Sequence, residues 1–114
     1  MKTKRVVITG VGAVCAFGRE WSEIEAAFRA GKNAVRRMEA WDAFPEMETR
    51  LGAPLPAYAP PAHWTRKQLR SMGPLAQYCT DAAEQALKQA GLLDDPIIRN
   101  GSMGVAAGSS SGST

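Results

Sequence analysis

Four residues near the start, Val6-Val7-Ile8-Thr9, form a β-branched run that is apolar almost without a break. A strand with one wet face alternates in polarity. A run apolar on both sides suits a strand covered on both faces, as in a parallel sheet. Gly10-Val11-Gly12 closes this strand with permissive backbone, and Ala13 to Gly18 reads as a turn of mostly small residues. A second segment, Ser102 to Ala107, reads as another buried strand and runs into Gly108-Ser109-Ser110-Ser111-Gly112-Ser113-Thr114. The connection between the two is roughly ninety residues, long enough for the right-handed crossover that joins parallel strands. The expected class is therefore α/β. Two strands leave both sheet edges open, so the chain reads as the first part of a larger protein.

Helices fill the crossover. Trp21, Ile24, Ala27 and Phe28 make one apolar stripe over residues 21–30, with Glu20, Glu23 and Glu25 near its start and Arg29 near its end. Gly31 stops it. Pro45, Pro54, Pro56, Pro60 and Pro61 break any long element between residues 32 and 64, although 47–53 could hold a short extended segment. Thr65 fits the N-cap of a short helix through Ser71 or Met72. Pro74 fits the first turn of the clearest helix, 74–90. Its face of Leu75, Ala76, Cys79, Ala82, Ala83, Ala86, Leu87 and Ala90 is small and apolar, which allows close packing, and Gly91 ends it.

Composition narrows the function classes. With 114 residues, 45% hydrophobic and 22% charged, the chain matches an ordinary globular domain. Its apolar runs are far shorter than the roughly 18 residues of a membrane span, and no secretory signal opens it. A net charge of +3 with mostly mixed signs is not the concentrated basic stripe of a nucleic-acid module. Cys15 and Cys79 lie far apart, outside any CxxC, and read as free buried thiols of a cytosolic protein. A disulfide between them is a question of geometry. One histidine and no cysteine cluster argue against zinc.

The motifs are partial. Thr9-Gly10-Val11-Gly12-Ala13-Val14-Cys15 follows a strand, but the GxGxxG fingerprint needs glycine where Cys15 stands, so a tight turn is the simpler reading. The glycine-serine run 108–114 could present backbone N–H groups to an anion, yet lacks the GK[ST] ending of a P-loop; it reads as a flexible active-site or substrate loop. His63 sits beside Trp64 in a proline-rich stretch, which suggests surface or packing duty. Arg66, Lys67 and Arg70 group on one short helix, either as a solvated face or as a dock for an acidic partner.

Taken in order, these pieces resemble a known family. Lys4-Arg5-Val6-Val7-Ile8-Thr9-Gly10-Val11-Gly12 is similar to the opening of the β-ketoacyl-acyl-carrier-protein synthases, condensing enzymes of the thiolase-like superfamily. Phe17-Gly18, Trp21, Ala30-Gly31-Lys32, Arg66-Lys67-Gln68-Leu69-Arg70-Ser71-Met72, Gln89-Ala90-Gly91-Leu92 and Met103-Gly104-Val105-Ala106-Ala107-Gly108-Ser109 continue the likeness, which is nearest to the type II elongating synthases. The resemblance implies the N-terminal part of a layered α/β/α/β/α fold, with residues 1–114 an incomplete part of one synthase domain. It implies a cytoplasmic homodimer without cofactor or metal. The reaction would be decarboxylative Claisen condensation of an acyl thioester with malonyl-carrier, on a cysteine assisted by two histidines. Neither Cys15, Cys79 nor His63 matches those catalytic positions, so no catalytic residue carries over.

Lys67 and Arg70 match basic positions that help dock the acidic acyl carrier protein. The next family position, often basic, is here Ser71. Ser111 falls in the loop lining the acyl pocket, where elongating members often carry a bulky apolar gate. Two other readings stand beside the enzyme. One is a non-catalytic, chain-length-factor-like partner of the same fold. The other is a small nucleotide-binding module, which would bind NAD or a nucleoside triphosphate. Standing alone, residues 1–114 would leave sheet edges and apolar faces open, so aggregation or obligate association is expected.

Overall fold

The computed structural model describes residues 3–110, which fall into two compact units. One is Val14–Tyr58; the other combines the segment up to Ala13 with the segment from Ala59 onward.

The Val14–Tyr58 unit opens with a tight loop. Cys15 and Gly18 exchange two backbone hydrogen bonds of 2.9 and 2.8 Å, with Gly18 at φ 108°. Helix α1, Trp21–Arg29, follows as the apolar stripe predicts; Ile24 and Ala27 are its buried residues. Phe17 and Phe28 meet edge to face at 5.8 Å, and Arg29 pairs with Glu25 one turn back at 2.7 Å. The helix ends in a Schellman turn: Gly31 N–H donates to Phe28 and Lys32 N–H to Ala27, with Gly31 at φ 62°. A two-residue ladder then pairs β1, Arg36–Arg37, antiparallel to β2, Leu51–Gly52. Between them lies a 3₁₀ turn, Glu39–Ala43. Asp42 gathers the guanidinium groups of Arg37 and Arg50 at 2.8 and 3.1 Å. Only the β2 part of this hairpin falls within a segment expected to be extended.

In the second unit, α2 is Arg66–Arg70 and α3 is Pro74–Gln89. Pro74 occupies the first turn of α3. Gly91, at φ 71°, closes it with the same Schellman pattern, Gly91 N–H to Lys88 and Leu92 N–H to Leu87. A final 3₁₀ turn, Pro96–Ile98, is capped by the Asp95 side chain, which accepts from Ile97 N–H at 2.9 Å.

Two expectations are corrected here. The segments 6–9 and 102–107 form no ladder among the described residues, and their apolar side chains stand open: Val6 is 93% exposed, Ile8 86% and Val105 92%. A strand exists only through its neighbours, and no described segment pairs with either one. Nor are the thiols buried. Cys15 is half-buried and Cys79 exposed, because the part of the small α3 face carrying Cys79 and Ala83 is left uncovered.

The other part of that face does pack closely. Gly10 and Gly12 lie so near α3 that a Cβ on either would overlap a helix carbonyl, of Ala86 and Ala82 respectively. Val11 N–H donates to Gln89 Oε1 at 2.6 Å and ties the same segment to the end of α3. Neither glycine has positive φ. Close approach, rather than turn geometry, is what calls for glycine at both positions.

Candidate functional site

Helix α2 has only five residues, too short to be stable by itself. Its N-terminus is closed by a capping box: Gln68 N–H donates to Thr65 Oγ1 at 3.2 Å, and Thr65 N–H donates to Gln68 Oε1 at 2.8 Å. At the other end, Ser71 Oγ donates to the Gln68 carbonyl at 2.8 Å. The turn so fixed presents Arg66, Lys67 and Arg70 to solvent. None of the three is ion-paired within the described residues, whereas Arg29, Arg37 and Arg50 each have a carboxylate. Three uncompensated cations on one short turn are suited to an anionic partner.

Tertiary contacts hold this turn at both ends, and all reach the same helix. Trp64, immediately before the cap, is buried, and its indole N–H donates to Glu84 Oε2 at 2.9 Å. The other oxygen of Glu84 pairs with His63 Nε2 at 2.7 Å. The imidazole and indole rings stand edge to face with centroids 6.4 Å apart. Beyond α2, Gln77 Nε2 donates to the Met72 carbonyl at 3.1 Å and Thr80 Oγ1 contacts Met72 Sδ at 3.7 Å. Gln77, Thr80 and Glu84 fall at i, i+3 and i+7 on α3, one stripe of that helix. Of the surface or packing roles read for His63, the structure shows an exposed imidazole that shares the Glu84 carboxylate with Trp64.

Ser111 lies outside the described residues. Asp81, on α3, is 1% exposed and accepts from Gln85 Nε2 at 3.1 Å. No group of three or more His, Cys, Asp or Glu able to hold a metal occurs among the described residues. The Gly10-Val11-Gly12 segment meets the carbonyls of Ala82 and Ala86 in the C-terminal half of α3. A phosphate is favoured by N–H donors and by the positive end of a helix, whereas this segment faces helix carbonyls.

Lys67 and Arg70 lie together on the exposed α2 turn, as their spacing predicts; Glu84 was not among the expected residues. One signal pointed to it: a tryptophan in a proline-rich stretch, once buried, must find an acceptor for its indole N–H. Which acceptor it finds is set by tertiary structure.

The fold belongs to a recognisable class. The family model "Beta-ketoacyl synthase, N-terminal domain" matches residues 3–114. The chain superposes on the crystal structure of a β-ketoacyl synthase from Burkholderia phymatum with a TM-score of 0.86 and 58% identity, covering 98% of this chain and 28% of that one. It is 33% identical over 111 residues to 3-oxoacyl-[acyl-carrier-protein] synthase 1 of Haemophilus influenzae, covering 96% of this chain and 26% of that protein. Nodulation protein E of Rhizobium leguminosarum is 36% identical over 92 residues, covering 81% of this chain and 22% of that protein. The chain belongs to the β-ketoacyl synthase family. It spans about a quarter of the length of the curated relatives it matches, and its fold is the amino-terminal part of the layered α/β synthase fold. No helix among the described residues is long and apolar enough to cross a membrane.

Proposed function

We propose that the chain is the amino-terminal part of a β-ketoacyl-acyl-carrier-protein synthase, an acyltransferase that acts in the cytoplasm as a homodimer. The observation that carries this reading is the 58% identity to a β-ketoacyl synthase over nearly the whole chain. In the reaction, an acyl group passes from the carrier's phosphopantetheine thiol to an enzyme cysteine. Malonyl-carrier then loses carbon dioxide. The resulting carbanion attacks the acyl-enzyme thioester, forming the new carbon–carbon bond and expelling the cysteine thiolate. The cysteine and its two histidines belong to the rest of the synthase, so residues 1–114 by themselves are inactive.

This segment contributes recognition. Lys67 and Arg70, with Arg66 beside them, form a docking turn for the acidic carrier protein. Ser71, next to Arg70, adds no charge to the patch. Ser111 contributes to the acyl-pocket loop, and a small hydroxyl there removes the bulk that gates chain length.

Charge reversal tests the dock. In the complete synthase, Lys67→Glu and Arg70→Glu should each raise KM for malonyl-carrier about three- to tenfold, because exposed charges at an interface act mainly on encounter. Turnover of a small thioester such as malonyl-N-acetylcysteamine should be unchanged. An unaltered KM for the carrier substrate in both variants would remove the dock from this helix.

A further inference from the structure

Glu84 has an unusual assignment for a surface-helix carboxylate. Both of its oxygens are used, one by the buried Trp64 indole N–H at 2.9 Å and one by His63 Nε2 at 2.7 Å. Both partners lie in the residues just before the Thr65 cap. At the far end of α2, Gln77 and Thr80 hold Met72 from the same stripe of α3. A helix of one and a half turns has no direction of its own. Its direction, and with it the placement of Lys67 and Arg70, follows from these two anchor points. The capping-box hydrogen bonds run between Thr65 and Gln68 and fix the internal shape of the turn.

We infer that Glu84 is a positioning residue for carrier binding: through Trp64 and His63 it sets the orientation of the α2 docking turn on α3. This rests on the docking role given above to Lys67 and Arg70. Glu84 touches neither carrier nor substrate. Its loss frees the leading end of α2, so the basic side chains meet the carrier from a wider range of positions and the complex forms at an entropic disadvantage.

The test is steady-state kinetics of the complete synthase with two substrates, malonyl-carrier and malonyl-N-acetylcysteamine. Glu84→Ala should raise KM for the carrier substrate about three- to tenfold, the scale of one or two lost hydrogen bonds. Its kcat, and all turnover of the small thioester, should stay at the parent value. Glu84→Gln, whose amide oxygen still accepts from Trp64, should recover most of the loss. Trp64→Phe keeps an apolar ring without the N–H and should shift KM in the same direction; with Glu84→Gln it carries the test if Glu84→Ala does not fold. Lys67→Glu serves as the reference. If Lys67→Glu raises KM while Glu84→Ala and Trp64→Phe do not, the positioning role is wrong and the dock stands. If Lys67→Glu has no effect, the dock itself falls and the inference falls with it. Equal losses on both substrates would make Glu84 a general stability residue and also overturn the inference.

Discussion

At position 12 a methyl group has nowhere to go. The carbonyl of Ala82 and the Cβ of Gln85 occupy the space that an alanine Cβ would take, and Ala86 does the same at position 10. Backbone is a hard obstacle: a helix carbonyl cannot rotate aside as a lysine chain can. Gly12→Ala should therefore push the 10–12 segment off α3 and strain the Val11 N–H bond to Gln89. The expected loss is about 1–3 kcal/mol, the usual range for overpacking, read as a lower denaturant midpoint of the complete synthase with unchanged slope. Unchanged stability would mean that the segment does not rest on α3 in solution. The sequence shows the glycines but not this reason for them. As Gly-x-Gly after an apolar run, they are equally compatible with a turn, and only the helix beside them distinguishes the two.

Among the elements, helices were legible and short pairings were not. α1, α2 and α3 agree with their predicted spans to within a residue or two, because caps, periodic apolar positions and terminal glycines are all local signals. The β1–β2 ladder rests on two residue pairs, two of whose members are arginines, and no alternation announces it. The local signals at α2 can be tested directly. Thr65 Oγ accepts from Gln68 N–H and the Gln68 side chain answers at the Thr65 N–H. Thr65→Ala removes the first bond and should cost about 1 kcal/mol, with Thr65→Ser restoring it. Faster amide exchange confined to residues 66–70 would report the frayed turn; protection equal to the parent would show that the contacts with α3 hold α2 without its cap. The placement of Lys67 and Arg70 on one exposed turn was likewise legible, from charges grouped at helical spacing. Glu84 was not, since it lies 20 positions from Trp64 and their meeting is a property of the packed unit.

For the molecule as a whole, the deciding feature is what the second unit leaves open. Val6, Val7, Ile8 and Val105 are all exposed, although their pattern is that of strands covered on both faces. The relatives this chain matches are about four times as long, and a synthase of that length has ample chain to cover them. Open apolar backbone with no sheet partner is a template for pairing with another copy. Residues 1–114 produced alone should therefore sediment as polydisperse oligomers and bind a hydrophobic dye strongly. One substitution separates this explanation from general instability. Ile8→Lys places a charge on the open segment and should improve the solubility of the isolated 114-residue chain, as charges do on natural edge strands. In the complete synthase the same lysine would be buried without a partner, which costs several kcal/mol or forces it neutral, so expression and thermal stability should fall. Opposite signs in the two contexts are expected only if residues 6–9 are an interior strand whose partners lie elsewhere in the synthase. The same sign in both, or a monodisperse monomer of residues 1–114, would mean that this segment is meant to face water.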